Sequence, residues 1–366
     1  LGRTAVVGFA LLNLVLTDVP AHADARFERI AREIRSLVAA NRVPSIAVAV
    51  AKDGRIVWEF AEGWADRERG IPATSHTPYS LASISKPFTA TAVLKLVEAR
   101  RLTLDGPVNS YLGPARITGT RAERATLRHL LAHTAGLSAY FRMRSADDEQ
   151  SFEDTIATRA LLVLPPGQSY IYSNLGYGIL DHIIERVAGV PYADFLHREL
   201  FEPLQLRHTS VPTAAPRAAA VRYGDGGWPL GFYDLDHRGA SSVYASAYDL
   251  VRFGIAHASG ATDERESSPR MLRAASIREM QRVHAQLDVG SGYGLGWQID
   301  DDGGFRRVGH TGGMPGVTTV LTLFPAERVV IVVLANQRSD LIVPLAHRLA
   351  AALIPAYAWH LREAEH

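Results

Sequence analysis

The sequence predicts an α+β fold, a β-sheet domain of antiparallel strands flanked by helices with a mainly helical domain inserted into it. Three observations predict it. A helix pattern and a hairpin open the chain, strand patterns return only near residue 293, and the stretch between reads as helices. Strands at both ends form one sheet only if the middle is set aside, which groups 24–76 with 270–366 around an inserted 77–269, with a site between the two. With 366 residues and 47% hydrophobic content, the chain has enough apolar surface for a core of that size.

Residues 1–23 stand apart from this fold. Arg3 supplies a positive start, Ala5 to Leu16 is almost wholly apolar, and Ala21-His22-Ala23 has the small-x-small pattern of a cleavage site. The expectation is a signal peptide and a periplasmic or secreted protein. That apolar run is shorter than the roughly 20 residues of a membrane span, and no later segment is longer, so no stable membrane span is expected.

In Asp24–Ala40, Phe27, Ile30, Ile34 and Leu37 recur at amphipathic-helix spacing, and Val43-Pro44 ends the pattern. Ser45–Ala51 and Arg55–Ala61 are two strand-like runs joined by Lys52-Asp53-Gly54, and Asp-Gly is a hairpin signal. Helices are expected over Lys86–Ala99, Thr126–Ala135 with Gly136 as its stop, Asn174–Ala188, Tyr192–Leu200, and Ser246–His257 with a serine N-cap. Pro212 to Ala240 is rich in Pro, Gly and Ala and carries Trp228, Phe232 and Tyr233, the composition of a loop excursion. Strands are then expected over Tyr293–Ile299, Arg306–Gly309, Val317–Phe324 and Val329–Ala335, and a helix over Leu341–Leu353.

Composition removes whole classes of function. Basic and acidic residues nearly cancel, 39 against 38, with no basic stripe, so no nucleic acid partner is expected. The absence of cysteine excludes disulfides, thiolate metal sites and a cysteine nucleophile. His129 and His133 stand four apart, but no glutamate follows His129 and no third ligand is placed, so no metal or other cofactor is expected.

The chemistry concentrates in three places. In Ser83-Ile84-Ser85-Lys86 the spacing of three brings Lys86 back under Ser83 if a helix starts there. A serine hydroxyl needs a neighbour to take its proton, and a desolvated lysine can be neutral enough to do so. The chain uses 36 arginines and only three lysines, Lys52, Lys86 and Lys95. Arginine cannot give up its proton, so a lysine at position 86 is what base chemistry requires. Tyr172-Ser173-Asn174 supplies a phenol able to relay a proton, particularly where cations lower its pKa, and an amide able to hold a carbonyl. Gly309-His310-Thr311-Gly312-Gly313 ends a strand pattern whose glycines let a substrate lie against the edge and free an N–H for an oxyanion.

Ser-x-x-Lys, Tyr-x-Asn and His-Thr-Gly in this order resemble the serine β-lactamase and penicillin-binding-protein superfamily, and its class C β-lactamase-like branch in particular. Leu131–Leu137, Gly292–Trp297 and Val333–Asn336 read like the same branch, so the resemblance spans about Val43 to Leu353. It implies a β-lactamase/transpeptidase-like fold and an acyl-enzyme on Ser83. Lys86 would be its base, and Tyr172 would protonate the leaving group and activate the deacylating water. The resemblance does not decide between Lys86 and Tyr172 as the first base. Asn174 would hold the substrate amide, the N–H groups of Ser83 and Gly313 the oxyanion, and His310 and Thr311 a substrate carboxylate. A histidine at position 310, where β-lactamases carry lysine, holds an anionic β-lactam less firmly. The expected activity is therefore that of a D-Ala-D-Ala carboxypeptidase, D-aminopeptidase or esterase on a small-molecule or peptide substrate: a D-amino acid peptide, an ester or a β-lactam. The alternatives are a weak β-lactamase and a non-catalytic descendant that binds peptidoglycan or a partner.

Overall fold

The computed structural model describes residues 25–144, 150–262 and 271–364, so the signal-peptide expectation over 1–23 lies outside the described residues. Helix α1 (Ala25–Ala39) leads into strands β1 (Ser45–Lys52), β2 (Arg55–Asp66) and β3 (Ile71–Pro72). Asp53 and Gly54 both have positive φ, which is what the two-residue turn between β1 and β2 demands. Helices α2 (Ser85–Glu98), α3 (Leu127–Leu131), α4 (Asn174–Ala188), α5 (Arg238–Ser241) and α6 (Ala247–Thr262) follow. The chain then returns to strands: β4 (Ala285–Asp288), β5 (Ser291–Tyr293), β6 (Gln298–Asp302), β7 (Phe305–Met314), β8 (Val317–Phe324) and β9 (Val329–Ala335). Helices α7 (Ile342–Leu353) and α8 (Pro355–Ala364) close the described chain.

One antiparallel sheet runs β4-β5-β6-β7-β8-β9-β1-β2-β3, so the opening hairpin pairs with the last strand. The two faces of β1 explain how it is covered. Ile46, Val48 and Val50 join Phe27, Ile30 and Ile34 of α1 and Leu345 and Leu349 of α7 in one cluster. Ala47, Ala49 and Ala51, on the other face, belong to the main core with Leu250 and Phe253 of α6. Strand β9 divides the same way, with Ile331 and Val333 on one side and Val330, Val332 and Leu334 on the other. A period of two with both faces apolar is the signature of a central strand. Gly254 brings α6 down onto the sheet, since a Cβ there would meet Val330 Cγ1 at 2.5 Å.

The expected elements hold with four corrections. The helix expected over Thr126–Ala135 stops at Leu131, because His133 turns left-handed at φ 59°. Pro212–Ala240 is not structureless: Arg222–Tyr223 pairs with Pro229–Leu230, Asp234–Leu235 pairs with Met143–Arg144, and α5 begins at Arg238. The strand expected over Tyr293–Ile299 is β5 and β6 with a turn between them, where Gly296 has positive φ and sits against Ala90 of α2. Strand β4, helix α8 and the helices Phe152–Arg159 and Ala274–Met280 carried no pattern strong enough to be expected.

Candidate active site

Ser83 lies in a short 3-10 turn, Ala82–Ile84, that runs directly into α2. Ala82 is held at φ 49°, a left-handed conformation that costs a non-glycine residue about 1 kcal/mol or more. The surroundings hold it there. Leu81 N–H donates to Val243 O (2.9 Å), Val243 N–H donates to Ser85 Oγ (2.9 Å), and Thr319 Oγ1–H donates to Leu81 O (2.9 Å). The turn leaves Ser83 partly open to solvent while Ala82 and Ile84 are buried.

Lys86 is fully buried, 0% exposed, and its Nζ lies 3.3 Å from Ser83 Oγ. Its other polar partners are Asn174 Oδ1 at 2.8 Å and Ala240 O at 3.1 Å. The Asn174 amide is oriented by its Nδ2–H donating to Tyr140 O (2.9 Å), so Oδ1 faces the lysine. Both partners accept only. In its neutral form the amine has two N–H groups and one lone pair; with these two acceptors taking the N–H groups, the lone pair would be left for Ser83. Burial lowers the Lys86 pKa well below 10.5, because the charged form loses its water, while the two acceptors pull the other way.

Tyr172 completes the group. Lys86 Nζ stands 4.6 Å from its ring centroid, and the Tyr172 hydroxyl shares a hydrogen bond with Ser83. The expectation that nearby cations lower its pKa is not met. Burial pushes the phenol well above 10, and the bond to Ser83 only partly offsets it. At neutral pH Tyr172 is therefore a phenol that donates and relays, not a phenolate.

The third segment forms the latter half of β7. Gly312 presses on the nucleophile turn, where a Cβ would meet Leu81 O at 2.1 Å and Thr319 Oγ1 at 2.2 Å. Gly313 faces open space, and Thr311 is exposed with its N–H donating to Gln298 Oε1 (3.1 Å).

His310 is a correction. It was expected to meet a substrate carboxylate, but its ring is buried and both nitrogens are engaged. Nδ1–H donates to Thr311 O (2.7 Å), and Nε2 accepts from Tyr293 Oη (3.0 Å). Burial first, then nearby Lys86, drives its pKa down to about 3. A neutral ring without a free N–H does not read an anion; it fixes the carbonyl of Thr311 from behind the strand.

His133 is the residue that sequence reasoning left outside the site, weighed there only as a metal ligand with His129 and set aside. Its carbonyl accepts from Ile171 N–H (2.8 Å) and its Nδ1 from Ser173 N–H (3.1 Å), bracketing Tyr172 on both sides. Its ring centroid lies 4.3 Å from that of Tyr172, 4.7 Å from Tyr293 and 5.1 Å from Tyr177. With Nδ1 accepting, Nε2 carries the proton, and it is buried among these rings with no hydrogen-bond partner. His129 instead turns its Nδ1 to the Thr126 backbone N–H and hydroxyl at the start of α3. The family-like flanks Leu131–Leu137 and Gly292–Trp297 were the signal for His133 and Tyr293; no signal marked Ala240, whose contribution is a backbone carbonyl.

The chain is similar to known proteins over most of its length. The family model described as Beta-lactamase matches residues 30–353. The chain is 32% identical over 334 residues to penicillin-binding protein 4 of Amycolatopsis lactamdurans, covering 86% of this chain and 85% of that protein. It is 35% identical over 231 residues to esterase EstB of Burkholderia gladioli, 58% of this chain and 57% of that one. The octameric penicillin-binding protein homologue from Pyrococcus abyssi superposes with a TM-score of 0.76 at 27% identity, covering 90% of this chain and 77% of that one.

Proposed function

The chain belongs to the β-lactamase family of serine hydrolases, and from that premise we propose that it cleaves an ester or amide bond through an acyl-enzyme on Ser83. The observation that carries the reading is the surroundings of Lys86: fully buried, its pKa lowered by that burial, and its Nζ 3.3 Å from Ser83 Oγ beside the acceptors Asn174 Oδ1 and Ala240 O. Lys86 takes the Ser83 proton as Oγ attacks the carbonyl carbon. The N–H groups of Ser83 and Gly313 receive the oxyanion, and Asn174 the amide of a peptide substrate. Tyr172 gives its proton to the leaving group as the scissile bond breaks. The proton held by Lys86 then restores Tyr172; water attacks the ester on Ser83, and its proton passes through Tyr172 and Lys86 to Ser83 Oγ as the acid is released. The high pKa of Tyr172 favours Lys86 as the acylation base.

Esterase chemistry on uncharged leaving groups suits this site best, because neutral His310 offers no cation to a leaving-group carboxylate. A D-Ala-D-Ala carboxypeptidase or D-aminopeptidase activity is the second reading, favoured by the similarity to penicillin-binding protein 4. Weak β-lactam hydrolysis ranks below both.

Intact-mass measurement after exposure to a fluorophosphonate tests the nucleophile. Wild type should gain one adduct and Ser83→Ala none; an unmodified, folded wild type would favour the non-catalytic binding descendant. Turnover of p-nitrophenyl esters, D-Ala-D-Ala peptides, D-amino acid amides and nitrocefin then ranks the activities. Export to the periplasm or medium is part of the proposal, resting on Ala5–Leu16 and Ala21-His22-Ala23. Sequencing the N-terminus of protein recovered from expressing cells tests it, with a start at Asp24 expected. Among the described residues no helix is long and apolar enough to cross a membrane.

A further inference from the structure

We propose that Arg222 forms a carboxylate-binding subsite for the acyl part of the substrate, a reading that rests on acylation of Ser83. Among the described residues, the buried lysine and arginine side chains are Lys86 and Arg222. Lysine can shed its charge when buried; arginine cannot. Arg222 is 5% exposed, and no carboxylate among the described residues pairs with it. Its Nη2 donates to Gly231 O (2.8 Å), its Nη1 lies 3.9 Å from Met314 Sδ, and its guanidinium stacks 3.7 Å from the Tyr233 ring centroid. A carbonyl, a thioether and a ring face offset only part of the cost of a buried charge. An anion would offset the rest.

The surroundings suit one. Arg222 borders a small cavity with Ser80, Ser241, Ser242 and Tyr244, all buried and all bearing hydroxyls. Its volume of about 10 Å³ is room for about one water molecule. Half-buried Tyr233 helps wall it, its hydroxyl donating to Met314 Sδ (2.9 Å) and Pro315 O (3.3 Å). Met314 Sδ and Pro315 O are weak acceptors for a phenol, and a ligand carboxylate can take over the hydrogen bond that Tyr233 makes with Arg222.

Position assigns the subsite to the acyl side. Along β7, His310 neighbours Tyr172, Gly312 presses on Leu81, and Met314 packs with Ala82 and Leu235 beside Arg222. At about 3.4 Å per residue, His310 and Met314 lie roughly 14 Å apart, with the nucleophile turn between them. Tyr172 marks the leaving-group end; Arg222 marks the other.

The test compares the p-nitrophenyl monoester of glutarate with p-nitrophenyl butyrate, which share a leaving group and differ in the acyl carboxylate. Arg222→Met should lower the glutarate-to-butyrate ratio of kcat/KM by at least about tenfold, and Arg222→Lys by less, since a charge-assisted bond is lost in one and partly kept in the other. Equal loss on both esters would reduce Arg222 to a support for the β7–β8 hairpin and overturn the proposal. Thermal melts separate that outcome from unfolding, with the ratio in Arg222→Lys deciding if Arg222→Met does not fold. Acceleration of butyrate hydrolysis by free acetate, lost in the Arg222 variants, would assign the site to a free anion instead and also overturn it. Wild type that is acylated by butyrate but not by glutarate refutes the subsite alone. Acylation by neither ester refutes the Ser83 reading beneath it.

Discussion

Gly312→Ala asks whether the contact between β7 and the nucleophile turn sets the reaction geometry. The new Cβ would fall 2.1 Å from Leu81 O and 2.2 Å from Thr319 Oγ1, where ordinary contact begins at 3.4 Å. Thr319 can rotate, at the cost of its bond to Leu81 O, but a backbone oxygen has no rotamer to escape into. Strand and turn must therefore part by about 1.3 Å, the difference between 3.4 and 2.1 Å. That separates the Gly313 N–H from the position an oxyanion on the Ser83 adduct would take. A misplacement of about 1 Å is worth about 100-fold in rate, and overpacking of this kind costs about 1–3 kcal/mol of stability. Pre-steady-state release of p-nitrophenol from a p-nitrophenyl ester measures acylation directly, and a thermal melt measures the cost to the fold. The expected result is acylation slowed about 100-fold and Tm lowered by a few degrees. Gly313→Ala is the matched comparison, because nothing lies within 4 Å of its added Cβ and its N–H is kept. It should keep its Tm and acylate at least about tenfold faster than Gly312→Ala. If Gly312→Ala acylates at the wild-type rate, the close approach is packing only and the oxyanion assignment loses its support.

Three further outcomes are expected. Lys86→Arg should be as damaging to acylation as Lys86→Ala, since guanidinium keeps the charge and cannot take a proton. In wild type the base is neutral lysine, so the acylation rate should fall as pH drops through its depressed pKa, well below 10.5; a profile without that limb would remove Lys86 as the base. His133→Asn retains an acceptor for Ser173 N–H and tolerates the left-handed backbone, whereas His133→Phe keeps a ring and leaves that N–H unpartnered at a cost of about 1–3 kcal/mol. Both should lower kcat by loosening Tyr172, with Phe giving the lower Tm; wild-type kcat in both would show that Tyr172 does not depend on His133. His310, with its pKa near 3, is neutral throughout pH 5–8, so kcat/KM profiles for esters with anionic and neutral leaving groups should superimpose there. An alkaline limb between pH 5 and 8 confined to the anionic substrate would contradict the buried, neutral ring.

The sequence by itself determined whatever depends on local pattern. The apolar runs of Ser45–Lys52 and Val329–Ala335, the Asp53-Gly54 turn and the apolar faces of α1 and α7 are all written within a few neighbouring residues. The same holds for Ser83 and Lys86, because a spacing of three on a helix is a local fact, and the ordered motifs with their flanks identified the family before any coordinates. What only the tertiary structure decided concerns partners far apart in the chain. How far the Lys86 pKa falls depends on its burial by distant segments, among them those that carry Asn174 and Ala240, 88 and 154 residues away. Whether His310 is a cation facing the cleft or a buried neutral ring depends on Tyr293 packing behind it, and no spacing in the sequence reports that. His133 likewise shows its part only once Ile171 and Ser173 fold back upon it. Residue type and spacing determine which groups can meet. Desolvation and hydrogen-bond saturation, which set the protonation states the chemistry needs, arise only when distant segments close around them.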